Sequence, residues 1–298
     1  MDRDKQIGQK AGWFVVPGHQ GRRFCITSSW RPDFLEFFLR ERAVELAIGP
    51  DAEDPIKLGY LSGIPNLKGL FIYNHFVKRM EDIPPLPGLV EIDLQEYSRQ
   101  PVDFNLFPEL RIAGIEFTKG RSSIFKVQNL DSLSMVHCPY ADLRPVTSLE
   151  NLTSLSLNQG SLVDISDIGS FEKLQKLELT LLRKLENISS LANAQSICSL
   201  SLEGCRRITR LDAIGEMSAL RVLKIPDCGE IESLKPLLKC KNLEELRFEG
   251  GTIISDGDMS VLLNMPNLNR VWMANRRHYT HKREEIPAWS VHQVGSAE

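Results

Sequence analysis

Apolar residues follow the same short pattern along most of the chain. In NLTSLSLNQG, residues 151–160, Leu155 and Leu157 lie two positions apart, and Ser154 and Ser156 alternate with them. A period of two places alternate side chains on opposite faces of a β-strand. This stretch therefore predicts a short strand with one buried face and one polar face.

The pattern, written Lxx(L/I/V/A)x(L/I/M/F), recurs every 20 to 25 residues. Its first positions are Leu67, Leu89, Leu110, Leu130, Leu152, Leu174, Ile197, Leu220, Leu243 and Leu268. In the third unit, ELRIAGIEF allows two registers. Between the strands a second apolar rhythm has a spacing of three, as at Ile165, Ile168 and Phe171. This spacing predicts 3₁₀ turns or short helices that return the chain to the next strand.

A single unit of this kind cannot bury its apolar edge, whereas stacked units bury one another's edges. The pattern resembles that of the leucine-rich repeat family, including the cysteine at its ninth position in Cys138, Cys205 and Cys228. The resemblance covers about residues 60–275, and the short period is similar to that of bacterial members. It implies an α/β solenoid, a leucine-rich repeat horseshoe with a parallel concave sheet and short helical or 3₁₀ convex segments.

The ends of a solenoid need caps over their apolar faces. Residues 1–42 predict an N-terminal cap, with two β-rich runs around PGHQG followed by a helix in RPDFLEFFLRERAVEL. The repeats then occupy residues 43–275 and begin with the degenerate unit AVELAI. Residues 276–298 contain few apolar side chains and no periodicity. We expect this tail to lie loosely over the last repeat or to be partly disordered.

Composition and charge narrow the function classes. The chain has 298 residues, 42% hydrophobic and 25% charged, with 36 basic and 39 acidic side chains. This balance argues against binding nucleic acid through its phosphates. No run approaches the roughly 18 apolar residues that span a bilayer, and no apolar segment follows the charged N-terminus MDRDKQIGQK. We therefore expect a cytoplasmic protein that binds neither nucleic acid nor membranes.

Candidates for chemistry have simpler structural explanations. His137 and Cys138 are adjacent, as a nucleophile and its base could be, but Cys138 occupies the ninth repeat position, which lies inside the stack. Cys240 falls in the apolar series of spacing three. His278 and His281 could approach one metal ion, yet no third ligand accompanies them. No phosphate-binding or dinucleotide-binding glycine motif is present. We expect neither catalysis nor a cofactor or metal.

The candidate binding surface is the outward face of the strands, at the third, fifth and seventh positions of each unit. The candidate partner-binding residues are Phe71, Tyr73, Glu91, Asp93, Glu116, Arg247, Arg270 and Trp272. Large aromatic side chains on a polar strand face are typical of binding anchors. The acidic side chains beside Phe71 and Tyr73 favour a partner with a basic patch.

The sequence therefore predicts a non-enzymatic module that binds another protein on its concave face. One specific form is an immunity protein that occludes a toxin, since an acidic patch would suit a basic, nuclease-like toxin. A regulatory adaptor and an effector delivered into a host are alternatives within the same class. An enzyme acting through its cysteines or histidines is the alternative from another class.

Overall fold

The computed structural model describes residues 12–50, 52, 57–73, 79–95 and 100–287. The strands in these ranges are β1 (Trp13–Pro17), β2 (Arg22–Ile26), β3 (Ala43–Ile48), β4 (Gly69–Ile72), β5 (Glu91–Leu94), β6 (Ile112–Glu116), β7 (Ser132–Cys138), β8 (Ser154–Gly160), β9 (Lys176–Thr180), β10 (Ser199–Glu203), β11 (Val222–Lys224), β12 (Glu230–Ile231), β13 (Glu245–Phe248), β14 (Ile253–Ile254) and β15 (Arg270–Met273). The helices are α1 (Asp33–Arg40) and α2 (Asp212–Gly215). The 3₁₀ segments are Gly59–Gly63, Met80–Asp82, Phe104–Leu106, Lys119–Lys126, Ser166–Ser170, Ser189–Asn193, Lys235–Lys239, Met259–Asn264 and Arg283–Glu285.

The chain divides into two compact units, and the boundary falls inside β7, between Val136 and His137. In the first unit the strands follow one another in the sheet in chain order, from β1 to β7. The pair β1 and β2 is antiparallel, and each later pair is parallel. Parallel neighbours require a crossover, which the 3₁₀ segments between the repeat strands provide.

The second unit repeats the same design. Its main sheet has the order β8, β9, β10, β11, β13, β15, and β12 pairs with β14 in a separate two-stranded sheet. A residue within three positions of the end of each of the strands β7, β8, β9, β10, β11 and β13 has a positive φ, which turns the chain sharply away from the sheet. These residues are His137, Gln159, Leu181, Gly204, Asp227 and Gly250. The predicted architecture of parallel strands joined by 3₁₀ segments is confirmed.

The predicted strand faces are confirmed in the repeat that carries NLTSLSLNQG. Leu155 and Leu157 are 0% and 1% exposed, whereas Ser154 and Ser156 are half-buried on the other face. In the third unit, whose register the sequence left open, the inward residues of β6 are Ala113 and Ile115. That unit therefore reads from Leu110, in step with its neighbours.

The segments at the two ends are ordered by specific contacts, and β2 of the N-terminal segment pairs parallel with β3 of the first repeat. The buried side chains of α1, Phe34 and Phe38, meet the ring of Phe24 on β2 with centroid distances of 6.0 and 5.9 Å. In the tail, the Ile254 N–H donates to Tyr279 Oη at 3.0 Å, and Ile286 is 2% exposed. Residues 276–287 thus pack on the last repeat, and 288–298 lie outside the described residues. The domain boundaries themselves stay a prediction.

No helix in the described part of the chain has the length and apolar content needed to cross a membrane.

The strand faces predict unequal effects of two substitutions in adjacent repeats. Leu177→Ala should lower the free energy of unfolding by about 2–5 kcal/mol, because it leaves a cavity in the core. Ser156→Ala, on the outward face, should change it by less than about 0.5 kcal/mol. Urea unfolding followed by circular dichroism measures both values. Equal losses for the two variants would contradict the assignment of faces.

Candidate functional site

The outward face of the first unit carries acidic and aromatic side chains in adjacent rows. Strand register places Glu45, Gly69 and Glu91 side by side across β3, β4 and β5. Phe71 and Asp93 are neighbours in the next row along the same strands. Neighbouring strands lie about 4.8 Å apart, so these side chains form one patch. The structure thus brings Phe71, Glu91 and Asp93 together, as the sequence predicts.

The hairpin tip, residues 18–23, closes over this patch. The Gln20 N–H donates to Glu45 Oε1 at 2.5 Å, and Arg23 Nε donates to Glu45 Oε2 at 2.7 Å. Glu45 is 0% exposed. A Cβ at Gly18 would lie 2.1 Å from Glu45 Oε2, so a larger residue there would displace this carboxylate. The tip supplies the donors that a buried carboxylate requires.

The exposure predicted for Phe71 is wrong. Its side chain is 2% exposed and packs with Cys25 and Ala47. The guanidinium carbon of Arg23 lies 3.5 Å from the centre of the Phe71 ring, in a cation–π contact. Alternation along β4 assigned Phe71 to the outward face correctly, but the hairpin covers that face.

Glu91 and Glu116 are also buried, at 4% and 6% exposure, which contradicts their predicted place on an open surface. The carboxylate of Glu91 lies 2.8 Å from Nδ1 of His19 in the hairpin tip. The backbone carbonyl of Glu116 accepts a hydrogen bond of 2.8 Å from Nη1 of Arg121, which is itself fully buried. The acidic patch of the first unit is therefore enclosed by the chain itself.

Tyr73 and Asp93 are half-buried and linked to each other. Tyr73 Oη donates to Asp93 Oδ2 at 3.3 Å, and Gln95 Nε2 donates to the same oxygen at 3.2 Å. Burial raises the pKa of Asp93, an effect that these two hydrogen bonds oppose. Burial, and then the neighbouring Asp93 carboxylate, raise the pKa of Tyr73, which keeps its donating proton. These hydrogen bonds link Tyr73, Asp93 and Gln95 to one another.

The outward face of the second unit is more open. Arg247 on β13 pairs in register with Trp272 on β15, whose ring is half-buried. Arg270, half of whose side chain is exposed, lies 3.2 Å from Glu245, and Lys224 lies 3.8 Å from the same carboxylate. The structure therefore brings Arg247, Arg270 and Trp272 together at one end of this sheet.

A cleft of about 510 Å³ opens on the same face. Its charged lining residues are Glu178, Glu203, Lys224, Asp227, Arg247 and Glu249. Four carboxylates thus outnumber two cationic groups, and one of the cations, Arg247, already pairs with Glu249. Leu181, 38% exposed, donates its N–H to the carbonyl of Glu203 at 2.8 Å.

The repeat pattern does not predict Leu181 as an exposed apolar residue beside the cleft. Its φ of 54° places it in the left-handed region, which bulky residues rarely adopt. Gly204 on the next repeat leaves room for it, because a Cβ there would lie 2.7 Å from Leu181 Cδ2. The one sequence signal is an apolar residue directly after KLELT, where a polar turn is expected.

Cysteine chemistry is disfavoured by burial. Cys138 is 3% exposed, and the ring of its neighbour His137 lies 3.0 Å from Gln159 Oε1 rather than on the thiol. Burial raises the pKa of Cys205 to about 11 and that of Cys228 to about 12. The thiolate is the reactive form, so these thiols are poor nucleophiles at neutral pH.

The structural role predicted for the cysteines at the ninth repeat position is confirmed for Cys205 and Cys228 by their hydrogen bonds. Cys205 Sγ donates to the carbonyl of Leu179 at 3.3 Å, and Cys228 Sγ donates to the carbonyl of Leu202 at 2.5 Å. Both carbonyls belong to the preceding repeat. Cys240, 4% exposed, lies in the core as its spacing predicts. Each thiol thus connects adjacent repeats.

His278 and His281 have separate structural partners. His278 Nε2 lies 2.9 Å from the carbonyl of Ile254, and His281 Nδ1 lies 3.0 Å from Thr280 Oγ1. Within the described residues, no three or more histidine, cysteine, aspartate or glutamate side chains are grouped so that they could hold a metal ion.

Burial of the thiols predicts their order of modification. In the native protein, a water-soluble thiol reagent should react first with half-buried Cys198 and should spare Cys138, Cys205, Cys228 and Cys240. Mass spectrometry of proteolytic peptides identifies the modified positions, and all six cysteines should react in denaturant. Rapid native modification of Cys205 or Cys228 would contradict the packing of the ninth position.

The ion pair under the hairpin tip predicts a difference between neighbouring arginines. Arg23→Met should lower the free energy of unfolding by about 3–5 kcal/mol, because Glu45 would remain buried without its cation. Arg22→Met is the matched control, since its pair with Glu41 is exposed and contributes about 1 kcal/mol or less. Adding Glu45→Gln to Arg23→Met should recover part of the loss. Urea unfolding of the wild type, the two single variants and the double variant measures these free energies. Equal losses for Arg22→Met and Arg23→Met would refute the prediction.

Comparison with known proteins gives information about the fold of the chain. No family model matches the chain. The Caenorhabditis elegans protein named "Uncharacterized protein F09G8.5" is 31% identical over 86 residues, which cover 29% of this chain and 18% of that protein. The chain thus matches well under two thirds of that relative's length.

Among solved structures, the chain is similar to the internalin InlF of Listeria monocytogenes, with a TM-score of 0.54 and 16% sequence identity. This match covers 78% of the chain and 68% of InlF. The functional domain of InlJ from Listeria monocytogenes gives a TM-score of 0.49 at 15% identity, over 77% of this chain and 49% of that one. Internalins are leucine-rich repeat proteins. Together with the parallel sheets and 3₁₀ segments, the match to InlF shows that the chain has the leucine-rich repeat fold.

Proposed function

We propose that this protein binds another protein through the outward sheet face of its second unit. The observation that carries the proposal is Trp272, a half-buried aromatic side chain beside Arg247 and exposed Arg270 on an otherwise polar face. Tryptophan and arginine are the residue types that most often dominate binding energy in protein interfaces. The leucine-rich repeat fold supports a protein partner.

The contrast between the two units supports this choice of surface. In the first unit, Phe71 and Glu91 are covered by the hairpin tip, so a partner would have to displace Arg23 and His19 to reach them. In the second unit, Trp272 is half-buried rather than enclosed, and its neighbour in register, Arg247, lines the cleft on the same face. Binding there requires no rearrangement of the fold.

The excess of carboxylates in the cleft supports a partner that is basic at this point. Charges of this kind chiefly accelerate association and make it salt-dependent, whereas buried aromatic anchors chiefly slow dissociation. An immunity protein that occludes a basic toxin is the specific form that we retain. A regulatory adaptor and a host-directed effector remain the alternatives, and a cytoplasmic location stays a prediction.

A non-enzymatic role belongs to the same proposal. The raised pKa of the buried thiols and the separate partners of the histidines support it. The sheet face offers anchors and charge for recognition.

The proposal predicts which aromatic side chain matters for binding. Affinity capture with the full chain identifies a partner, whose kinetics are then measured by surface plasmon resonance. Trp272→Ala should raise the dissociation rate by a factor equivalent to about 2 kcal/mol, because it removes an aromatic anchor. Glu203→Lys should lower the association rate and weaken its dependence on salt.

Tyr73→Ala is the matched control, since Tyr73 is an aromatic residue on the outward face of the first unit. It should leave both rates unchanged, once thermal unfolding shows that the variant is folded. If Tyr73→Ala weakens binding and Trp272→Ala does not, the interface lies on the first unit. Wild-type kinetics in all three variants would overturn binding through the sheet face.

A further inference from the structure

Two neighbouring turns of the second unit carry exposed basic side chains at matching positions. Strands β9 and β10 pair with Thr180 opposite Glu203, and each of these strands is followed directly by a residue with a positive φ. The two turns therefore begin in step, at the spacing of about 4.8 Å between neighbouring strands. The third and fourth residues after the strands, all exposed, are Arg183 and Lys184 in one turn and Arg206 and Arg207 in the next. Together these four side chains form the basic rim.

Buried apolar side chains on both sides direct the basic rim into solvent. In the first turn Leu182 and Leu185 are buried, and in the second turn Cys205 and Ile208 are buried. These residues hold each turn on the core, so the two positions between them point outward. The core therefore requires apolar residues beside the basic rim, but it does not require the basic charges themselves.

The fold supplies little counter-charge to the basic rim. Three of its members form no ion pair with any carboxylate in the described ranges, and the fourth, Arg207, lies 3.8 Å from Glu186, with both side chains largely exposed. Other arginines of this unit have closer partners, since Arg144 and Arg221 lie 2.5 and 2.6 Å from a carboxylate oxygen. Like charges in matching rows repel one another, so their alignment adds no stability to the fold.

The basic rim is confined to two repeats and has carboxylates around it. By the register of β10 and β11, the matching positions on the next repeat are Gly229 and exposed Glu230. Exposed Glu186 follows the rim in one turn, and Glu203, which lines the cleft, precedes it in the other. A nucleic acid carries closely spaced phosphates along its whole length and would meet these carboxylates. A short acidic segment of a protein would not.

We propose that the basic rim binds a short acidic segment of the partner protein. The guanidinium groups of Arg183 and Arg206 each present a planar fork of donors, to which a carboxylate can accept two hydrogen bonds. The inference rests on the proposed function, because Glu203 of the cleft lies three residues before Arg206, so a partner that enters the cleft would continue over the rim.

The partner is then basic opposite the cleft and acidic opposite the basic rim. Complementary charges of this kind fix the register of two proteins and exclude partners with the opposite arrangement. The order of the two charged regions therefore sets the direction in which the partner lies across the sheet.

A defined peptide and two matched double variants test the inference. Fluorescence anisotropy measures the binding of labelled decaglutamate to the full chain at low salt. The wild type should bind the peptide, and added sodium chloride should weaken the binding. Arg183→Glu with Arg206→Glu should raise the dissociation constant about tenfold or more. Arg144→Glu with Arg221→Glu is the control, because it changes the net charge equally at two exposed arginines, and it should bind as the wild type does.

Thermal unfolding shows whether both double variants are folded, and Arg183→Gln with Arg206→Gln, a milder change at the same positions, should give a smaller loss of binding. A wild type that does not bind decaglutamate, or an equal loss in both Glu double variants, would overturn the inference. Tighter binding of an oligothymidylate of the same length would replace the acidic protein segment with a nucleic acid. No partner protein takes part in this assay, so its failure would leave the kinetics of Trp272→Ala, and with them the proposed function, unaffected.

Discussion

The structure depends on the burial of one apolar ladder that no repeat can bury alone. In the second unit, Leu155, Leu177, Leu200, Leu223 and Leu246 are neighbours in register on successive strands, each at most 1% exposed. Because the inward residues are aligned in this way, the outward residues are aligned as well, with a spacing of about 4.8 Å. On the sheet face, each repeat can therefore contact a partner only through the two or three outward side chains of its short strand.

In the first unit this alignment crowds carboxylates into one region. Glu45 and Glu91 occupy the same outward row, with Gly69 between them. Burying such groups is costly unless each receives hydrogen bonds and a counter-charge. Arg23 supplies both to Glu45, and the His19 ring lies 2.8 Å from the Glu91 carboxylate, so the acidic patch that suggests a binding surface in the sequence has a structural role. Charge on an outward row is therefore insufficient evidence of recognition.

How much of the structure the sequence predicts depends on how far apart in the chain the interacting residues lie. The faces of Leu155 and Ser156 follow from alternation within one strand, and the burial of Cys205 follows from its place in the repeat. The enclosure of Glu91 depends on His19, which is 72 residues away in the chain. A periodic pattern predicts which face of the strand each residue occupies, but it does not predict that a distant turn folds back over that face. Trp272, by comparison, is half-buried on its outward face rather than enclosed.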